Sequence, residues 1–513
     1  MNLVGLTAGR LFHTQQSLTP ADRRRAAGAL MVDGVCSSAM VTLQGGPFLA
    51  AFAIALGASN YEVGLLATIG FASQLMQLLG LLLVQRMPVR RAIIVLTAGA
   101  SRLLWVLILL IPVLFADRGT TFLMQWLFVA AALGAMGVPA WNSLIRDVVP
   151  ARIMGRLFSR RLVLWMISAL VLTGAGGYFV DGWTLWLPDH ALYAYSILFA
   201  AGLAFGLVGL AAIARLPEPR LEPARASLAD LLKGPVADRR FRNLLHYIAF
   251  WNFAVNMAGP FFIVYLLQRI GLALGTVTML VVISQITNTL FLRIWGKLAD
   301  RYSNRSVLAI SSPLFLLAIV GWTFTTLPEK HLLTMPLLVA IHVLSGMSLA
   351  GVSLASWNIA IKLSPPGQTH AYMAVYGIAG AVGGAVAPML GGVFADFFAT
   401  RELAVRINWI DGGQTYGVEA LSFKALDFLF LLAFVLGVFS LRFLRRVHED
   451  GHVEEKVVRE DLLNETFALF RVVSTIPGLR YLIAGPLSAV SHLLQPRADK
   501  AEPPQEDPRQ YNA

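Results

Sequence analysis

Asp33 is the acid best placed to do chemistry in this chain, because it lies inside the first long apolar stretch. A carboxylate taken out of water holds its charge less easily, which brings it within reach of physiological protonation and so of coupling to a proton gradient. Ser37 and Gln44 follow at four and eleven residues, and at roughly 100° per residue the three project from nearly one helical face. A second reading stays open, in which Asp33 sits near water and pairs with Arg23 to Arg25 or another loop cation. Arg102 lies well inside the third apolar stretch. An unpaired guanidinium is costly there, so it calls for an acid, a cavity or an anionic substrate.

Other polar groups fall at plausible cavity depth. They are Gln74 and Gln77, Asn252 and Asn256, Gln285 and Asn288, and Tyr376. Spacings of three and four residues stack each pair on one helical face, where it can line a cavity or hydrogen-bond a neighbouring helix. Trp141-Asn142 and Trp357-Asn358 occupy matching places in two apolar stretches, and a tryptophan ring can line a cavity or pack at headgroup level. His246 and His342 titrate near neutral pH when unperturbed, or serve as packing residues. The one cysteine, Cys36, excludes a disulfide framework and a cysteine metal site within the chain. No G-x-x-x-x-G-K-[ST] loop and no cysteine or histidine cluster with metal-ligand spacing occurs, so neither ATP hydrolysis, nor a cofactor, nor an enzyme activity is expected.

The elements that must position these groups follow from composition. The 513 residues are 57% hydrophobic and 14% charged, a balance suited to lipid as solvent. A spanning helix needs roughly 20 apolar residues. Such stretches fall near 28–56, 61–85, 91–115, 121–147, 160–182, 190–214, 244–268, 273–296, 306–326, 333–360, 371–398 and 422–444, twelve in all. The net charge of +12 gathers in every second connection, with clusters at Arg23 to Arg25, Arg86 to Arg91, Arg146 to Arg161, Arg215 to Arg242, Arg293 to Arg305, Lys362 and Arg442 to Arg446. Such alternation places both termini in the cytoplasm of a multi-pass inner-membrane protein. Residues 1 to 28 lack a secretory signal.

The chain repeats itself. Gly46-Pro47-Phe48 returns as Gly259-Pro260-Phe261, Trp141-Asn142 as Trp357-Asn358, and Gly176-Gly177-Tyr178-Phe179-Val180-Asp181 as Gly391-Gly392-Val393-Phe394-Ala395-Asp396, at offsets of 213, 216 and 215 residues. A near-constant offset implies two six-helix bundles related by a parallel repeat, with a site between them near the midplane. The domains expected are an N-terminal arm (1–27), a first bundle (28–214), a proline-rich, charged central loop (215–243), a second bundle (244–446) and a tail (447–513). Within the tail, 465–494 reads as an interfacial helix, and the residues from Pro496 on as disordered. Trp409, Asp411, Gly412 and Gly413 mark a turn or short hairpin in the long connection 399–421.

Gly296-Lys297-Leu298-Ala299-Asp300-Arg301-Tyr302, followed by Arg305, resembles the signature loop of the major facilitator superfamily, G-x-L-A-D-R-x-x-x-R. The matching first-half loop, Gly80 to Arg91, carries Val84 where the acid belongs, and Asp147 through Pro150 to Gly155-Arg156 resembles that family's junction between helices 4 and 5. The resemblance covers about residues 28–446 and implies an all-α fold of twelve transmembrane helices in two pseudo-symmetric bundles. It also implies that Asp300, with Gly296, Arg301 and Arg305, gates the cytoplasmic side by pairing with the start of span 5 beside Arg160 and Arg161. A solvated turn that anchors topology is the plainer reading of that loop. Drug antiport is disfavoured, since span 4 has no arginine before Arg146 and the nearest helix 5 signature, Gly383 to Gly392, falls in span 11.

The expected function is secondary transport of a small organic solute by alternating access, coupled to protons at Asp33. Its partners would be that solute, a proton and membrane lipids, without nucleic acid, and the chain would be a monomer. An amphiphile flippase and a non-transporting assembly factor or sensor are the alternatives.

Overall fold

The computed structural model describes residues 12–16, 18–87, 89–115, 118–220, 234–327, 329–365, 368–411, 414–449, 458, 460–463 and 465–466. Among the described residues twelve helices are long and apolar enough to cross a membrane. They are α1 (Pro20–Ala55), α2 (Asn60–Arg86), α3 (Arg90–Leu109), α4 (Gly119–Val148), α5 (Ala151–Trp186) and α6 (Pro188–Ala214), then α7 (Arg239–Arg269), α8 (Leu274–Arg301), α9 (Asn304–Thr326), α10 (Thr334–Lys362), α11 (Ala371–Phe398) and α12 (Leu426–Leu444). Successive helices run in opposite directions, so the arginine-rich connections share one face, called here the basic face. The other is called the opposite face.

Local chemistry explains the main departures from the expected spans. α1 starts at residue 20 because Pro20 sits in the first turn and Thr19 caps it, with Thr19 Oγ1 accepting the Asp22 N–H at 3.1 Å and Asp22 Oδ2 accepting the Thr19 N–H at 3.1 Å. It breaks at Gly45-Gly46-Pro47, where Gly46 takes φ +51° and Pro47 has no N–H to give. The repeat of this tripeptide at Gly259-Pro260-Phe261 also interrupts its helix, and α7 ends in a π turn over Tyr265–Arg269. α5 begins at residue 151, nine residues before the expected 160, so that Arg152, Arg156, Arg160 and Arg161 all stand on a helix. α12 begins at 426 rather than 422, because 402–424 forms an antiparallel hairpin of β1 (Glu402–Asp411) and β2 (Gln414–Lys424), with a register shift between Val405 and Arg406.

Within each half the helices approach through glycines. A Cβ at Gly80 would lie 2.1 Å from the Met136 carbonyl of α4, and one at Gly346 of α10 would lie 2.3 Å from the Ser284 carbonyl of α8. α11 has two such faces: Gly383 and Gly391 lie against the Ala249 and Met257 carbonyls of α7, whereas Gly384 and Gly392 lie against Phe71 and Asn60-Tyr61 of α2. Toward the basic face of the first half, Leu30, Ile93, Ala140, Leu144, Val148 and Ile213 form a buried cluster joining α1, α3, α4 and α6. A second compact unit spans Lys456–Ala513. Its described residues are helical, with Thr466 Oγ1 donating to the Leu462 carbonyl. The interfacial helix expected over 465–494 lies almost wholly outside the described residues.

Candidate functional site

The two halves meet along two seams, α2 with α11 and α5 with α8, and both are tied at the opposite face. At the start of α2 the orphan N–H groups are all taken. Asp396, at the end of α11, accepts from Asn60 N–H at 3.2 Å, Asn60 Nδ2 at 2.9 Å and Tyr61 N–H at 2.9 Å. Ser59 caps Glu62 N–H. The mate of Asp396 in the repeat, Asp181 at the end of α5, accepts the Gly275 N–H of α8 at 2.8 Å. A carboxylate at a helix start also meets the positive end of the helix dipole. Below these ties the seams stay tight. A Cβ at Gly64 would stand 2.2 Å from the Pro388 carbonyl, and one at Gly177 would stand 1.9 Å from Thr278 Oγ1. Thr68 Oγ1 donates to the Ala385 carbonyl at 2.8 Å.

Gly155 of α5, Gly296 of α8 and Gly377 of α11 have open space where a Cβ would stand. Asp300 is exposed and makes no hydrogen bond or ion pair among the described residues, so in this conformation its carboxylate does not pair with the start of α5. Arg301 lies over the Tyr302 ring at 5.3 Å, and Arg305 Nη2 donates to the Arg445 carbonyl at 3.3 Å. Between the tight and the open regions lies a cavity of about 590 Å³ lined by α5, α8 and α10, including Trp165, Met166, Ser284, Gln285, Asn288 and Gly346. A smaller hollow of about 340 Å³ shares Leu162 and Trp165 with it and reaches Arg161.

Arg161 is the centre of the polar groups here. Its Nη2 donates to Asp33 Oδ2 at 2.9 Å and its Nε to the Leu30 carbonyl at 3.2 Å, while its guanidinium lies 5.1 Å from the Trp141 ring centre and 6.0 Å from that of Trp165. The side chain crosses Gly34, where a Cβ would stand 2.6 Å from Arg161 Cγ. Ser37 Oγ donates to Asp33 Oδ1 at 3.0 Å. Arg102 is 7% exposed, and its Nε and Nη1 have no hydrogen-bond partner. It lies beside the same carboxylate. A Cβ at Gly206 would meet Arg102 Nε at 3.3 Å, and one at Gly209, the next turn of α6, would meet Asp33 Oδ1 at 3.4 Å.

The residues singled out by spacing divide into groups. Asp33 and Arg102 come together, joined by Arg161, which the sequence presents as one cation of a basic run. Gln285 and Asn288 line the cavity, with Asn288 Nδ2 donating to the Gly346 carbonyl at 3.2 Å. Gln44 instead packs α1 on α6, its Nε2 donating to the Phe199 carbonyl at 3.1 Å. Gln74 and Gln77 bond to each other. Asn252 and Asn256 each donate to the carbonyl four residues back, at 2.9 and 2.8 Å. Tyr376 stands edge-on to Trp357 at 6.2 Å.

Two latches on the basic face were not visible in the spacing. Glu218, fully buried, accepts from Arg90 Nε at 3.0 Å and from the Arg91 N–H at 2.6 Å, and Arg90 also pairs with Asp147. Glu449 holds the matching place in the second half. It accepts from Asn304 Nδ2 at 2.8 Å, the Arg305 N–H at 2.8 Å and Lys362 Nζ at 3.1 Å. Each glutamate follows the last helix of its half and closes on the start of the third.

Twelve helices in two pseudo-symmetric bundles, joined by seams and with an open cavity at their boundary, define a polytopic membrane protein of transporter architecture. The chain belongs to the Major Facilitator Superfamily, whose model matches residues 34–388 and again 253–494. No curated protein matches it by sequence. Among solved structures it is similar to a variant of the nucleoside transporter NupG, with a TM-score of 0.62 and 13% identity over 82% of this chain and 100% of that one. It is similar to the D-xylose-proton symporter (TM-score 0.61, 13% identity, 84% and 98% covered). It also resembles a bacterial homologue of the human lysosomal transporter Spinster in an inward-facing, unoccupied conformation (TM-score 0.58, 14% identity, 86% and 99% covered). At these identities the likeness is one of fold.

Proposed function

We propose that the protein is a secondary transporter of a small organic solute that works by alternating access, with its basic face in the cytoplasm of the inner membrane. The observation that carries this reading is the asymmetry of the seams. Asp181 and Asp396 tie both seams at the opposite face across the boundary between halves, while the cavity lies between α5, α8 and α10 on the side of the basic face. A closed face built from a few hydrogen bonds to helix starts can open without dismantling either bundle, which is what a bistable gate requires. In the alternate state Asp300 is positioned to meet the start of α5 as the basic face closes.

Proton coupling is assigned to Asp33. A proton on this carboxylate would cancel its charge and release Arg161, linking protonation on α1 to α5, the helix that lines the cavity. The test is uptake into proteoliposomes. A panel of solutes is screened with and without an imposed pH gradient, for the natural chain and for Asp33→Asn. Gradient-driven uptake that becomes gradient-independent in Asp33→Asn supports the assignment. Gradient-driven uptake unaltered in the variant removes Asp33 from coupling.

A further inference from the structure

The buried charges around Asp33 do not balance. Two guanidinium groups, Arg102 and Arg161, stand near one carboxylate inside the spanning region, and the partner that Asp33 gives to Arg161 is one that Arg102 lacks. A buried guanidinium without hydrogen bonds is expensive in hydrocarbon. Arg161 is the one that can be reached: 16% of its side chain is exposed, and it lines a hollow that shares Leu162 and Trp165 with the larger cavity. That cavity is walled mostly by Leu162, Met166, Ile167, Leu170, Ile286 and Leu290, with Ser284, Gln285, Asn288 and Thr289 as its polar groups. A volume of about 590 Å³ suits a body of drug-like size. An apolar trough beside a cation that lies near two tryptophan rings is complementary to one kind of molecule.

Resting on the transport reading above, we propose that the substrate is an organic anion with an apolar body, that its anionic group takes Arg161 from Asp33, and that Asp33 then passes to Arg102. Asp33 Oδ1 and Arg102 Nε lie against Gly209 and Gly206, one turn apart on α6, with the side chains of Cys36 and Met40 against the same two glycines. Ser37 can keep its bond to Oδ1 and so guide the movement. Arg102 is thus a positioning residue. Its unfilled donors are filled when substrate binds, which offsets part of the cost of breaking the ion pair of Arg161. Breaking that pair loosens α1 from α5, the helix that also carries Asp181 at the seam, and leaves the bond from Ser38 Oγ to the Trp165 carbonyl as a remaining polar tie there.

The experiment measures equilibrium binding to the full chain in nanodiscs of neutral lipid, with three probes of one chain length: octanesulfonate, octanol and octyltrimethylammonium. Octanesulfonate should bind, and the other two should bind at least tenfold more weakly. Arg161→Gln should lose about tenfold or more, the worth of a charged hydrogen bond. Asp33→Asn removes the competitor and should bind octanesulfonate more tightly than the natural chain, an outcome that a merely structural ion pair would not give. Arg102→Gln should weaken binding in the natural background and have no effect beside Asp33→Asn, a coupling read from the double-mutant cycle. Unchanged affinity in Asp33→Asn, or equal binding of all three probes, overturns the proposal even if Arg161→Gln fails to fold. If octanesulfonate does not bind but the seam between α2 and α11 still opens and closes in distance measurements, the anion site falls and the transport reading stands. If the seam is also rigid, both fall.

Discussion

Asp396 accepts the backbone N–H of Tyr61 at 2.9 Å, a hydrogen bond that fastens the end of α11 to the start of α2 across the boundary between the two halves. Its repeat mate Asp181 fastens α5 to α8 through Gly275, but with one donor where Asp396 has three. Each hydrogen bond to a charged group contributes about 1.5–3 kcal/mol. Asp396→Ala should therefore shift the population toward opening at this face more than Asp181→Ala does. Spin labels on the opposite-face ends of α2 and α11 should show a longer distance component in pulsed electron resonance. Unchanged distance distributions in both variants would mean that closure rests on helix packing alone.

The packing contribution has its own test. Gly64 faces the Pro388 carbonyl and Gly177 faces Thr278 across the seams, at distances no side chain can enter. Gly64→Val and Gly177→Val should disfavour the closed opposite face while leaving each bundle intact. Gly28→Val, in open space on α1 and away from both seams, is the control. Accessibility of a cysteine placed near residue 392, in a background with Cys36 replaced, should rise in the first two variants and stay level in the third.

The helices and their repeat were legible because each is written locally, as an apolar run between polar connections or as a tripeptide that recurs at a near-constant offset. The same repeat held Asp181 and Asp396, although nothing in their spacing said that each would reach into the other half. Arg161 was hidden for a different reason. It stands in Ser-Arg-Arg, which reads as the charged start of a span near 160, whereas α5 starts at residue 151 and carries it to within 2.9 Å of Asp33, 128 positions away in sequence. Glu218 lies between Pro217 and Pro219 and so looks like linker, yet it is fully buried against Arg90. Contacts between distant helices depend on rotation and depth, which periodicity alone does not set.

The two glutamate latches should differ in strength. Glu218 and Arg90 have no exposed surface, and removing one partner of a buried pair costs about 3–5 kcal/mol. Lys362, beside Glu449, is half exposed, and the other two partners there are a neutral amide and a backbone N–H. Thermal unfolding in nanodiscs should show a larger fall for Glu218→Ala than for Glu449→Ala, whose loss is expected near 1.5–3 kcal/mol. Equal falls would show that the buried pair gains no more from its burial than the exposed one.

The hairpin between α11 and α12 should carry a pH signature. Glu402 is held below the usual carboxylate range, first by the hydrogen bond from Lys424, whose Nζ lies 2.9 Å away, and then by Ser422. Lys424 is held above the usual ammonium range, chiefly by the same bond to Glu402. A depressed carboxylate contributes stability that is present above its unfolded value and lost as pH falls through its folded one. A raised ammonium contributes stability that is present below its unfolded value and lost as pH rises through its folded one. The pairing of β1 with β2 should therefore be level across neutral pH and weaken on both sides, with acid acting through Glu402 and strong base through Lys424. Hydrogen exchange of the hairpin amides, corrected for intrinsic rates, should show this plateau. Glu402→Gln should remove the acid limb and lower the plateau, because Lys424 keeps only the longer contact to Glu419 at 3.8 Å. An acid limb that persists in Glu402→Gln would transfer the effect to another carboxylate, of which Glu419 is the nearest to Lys424.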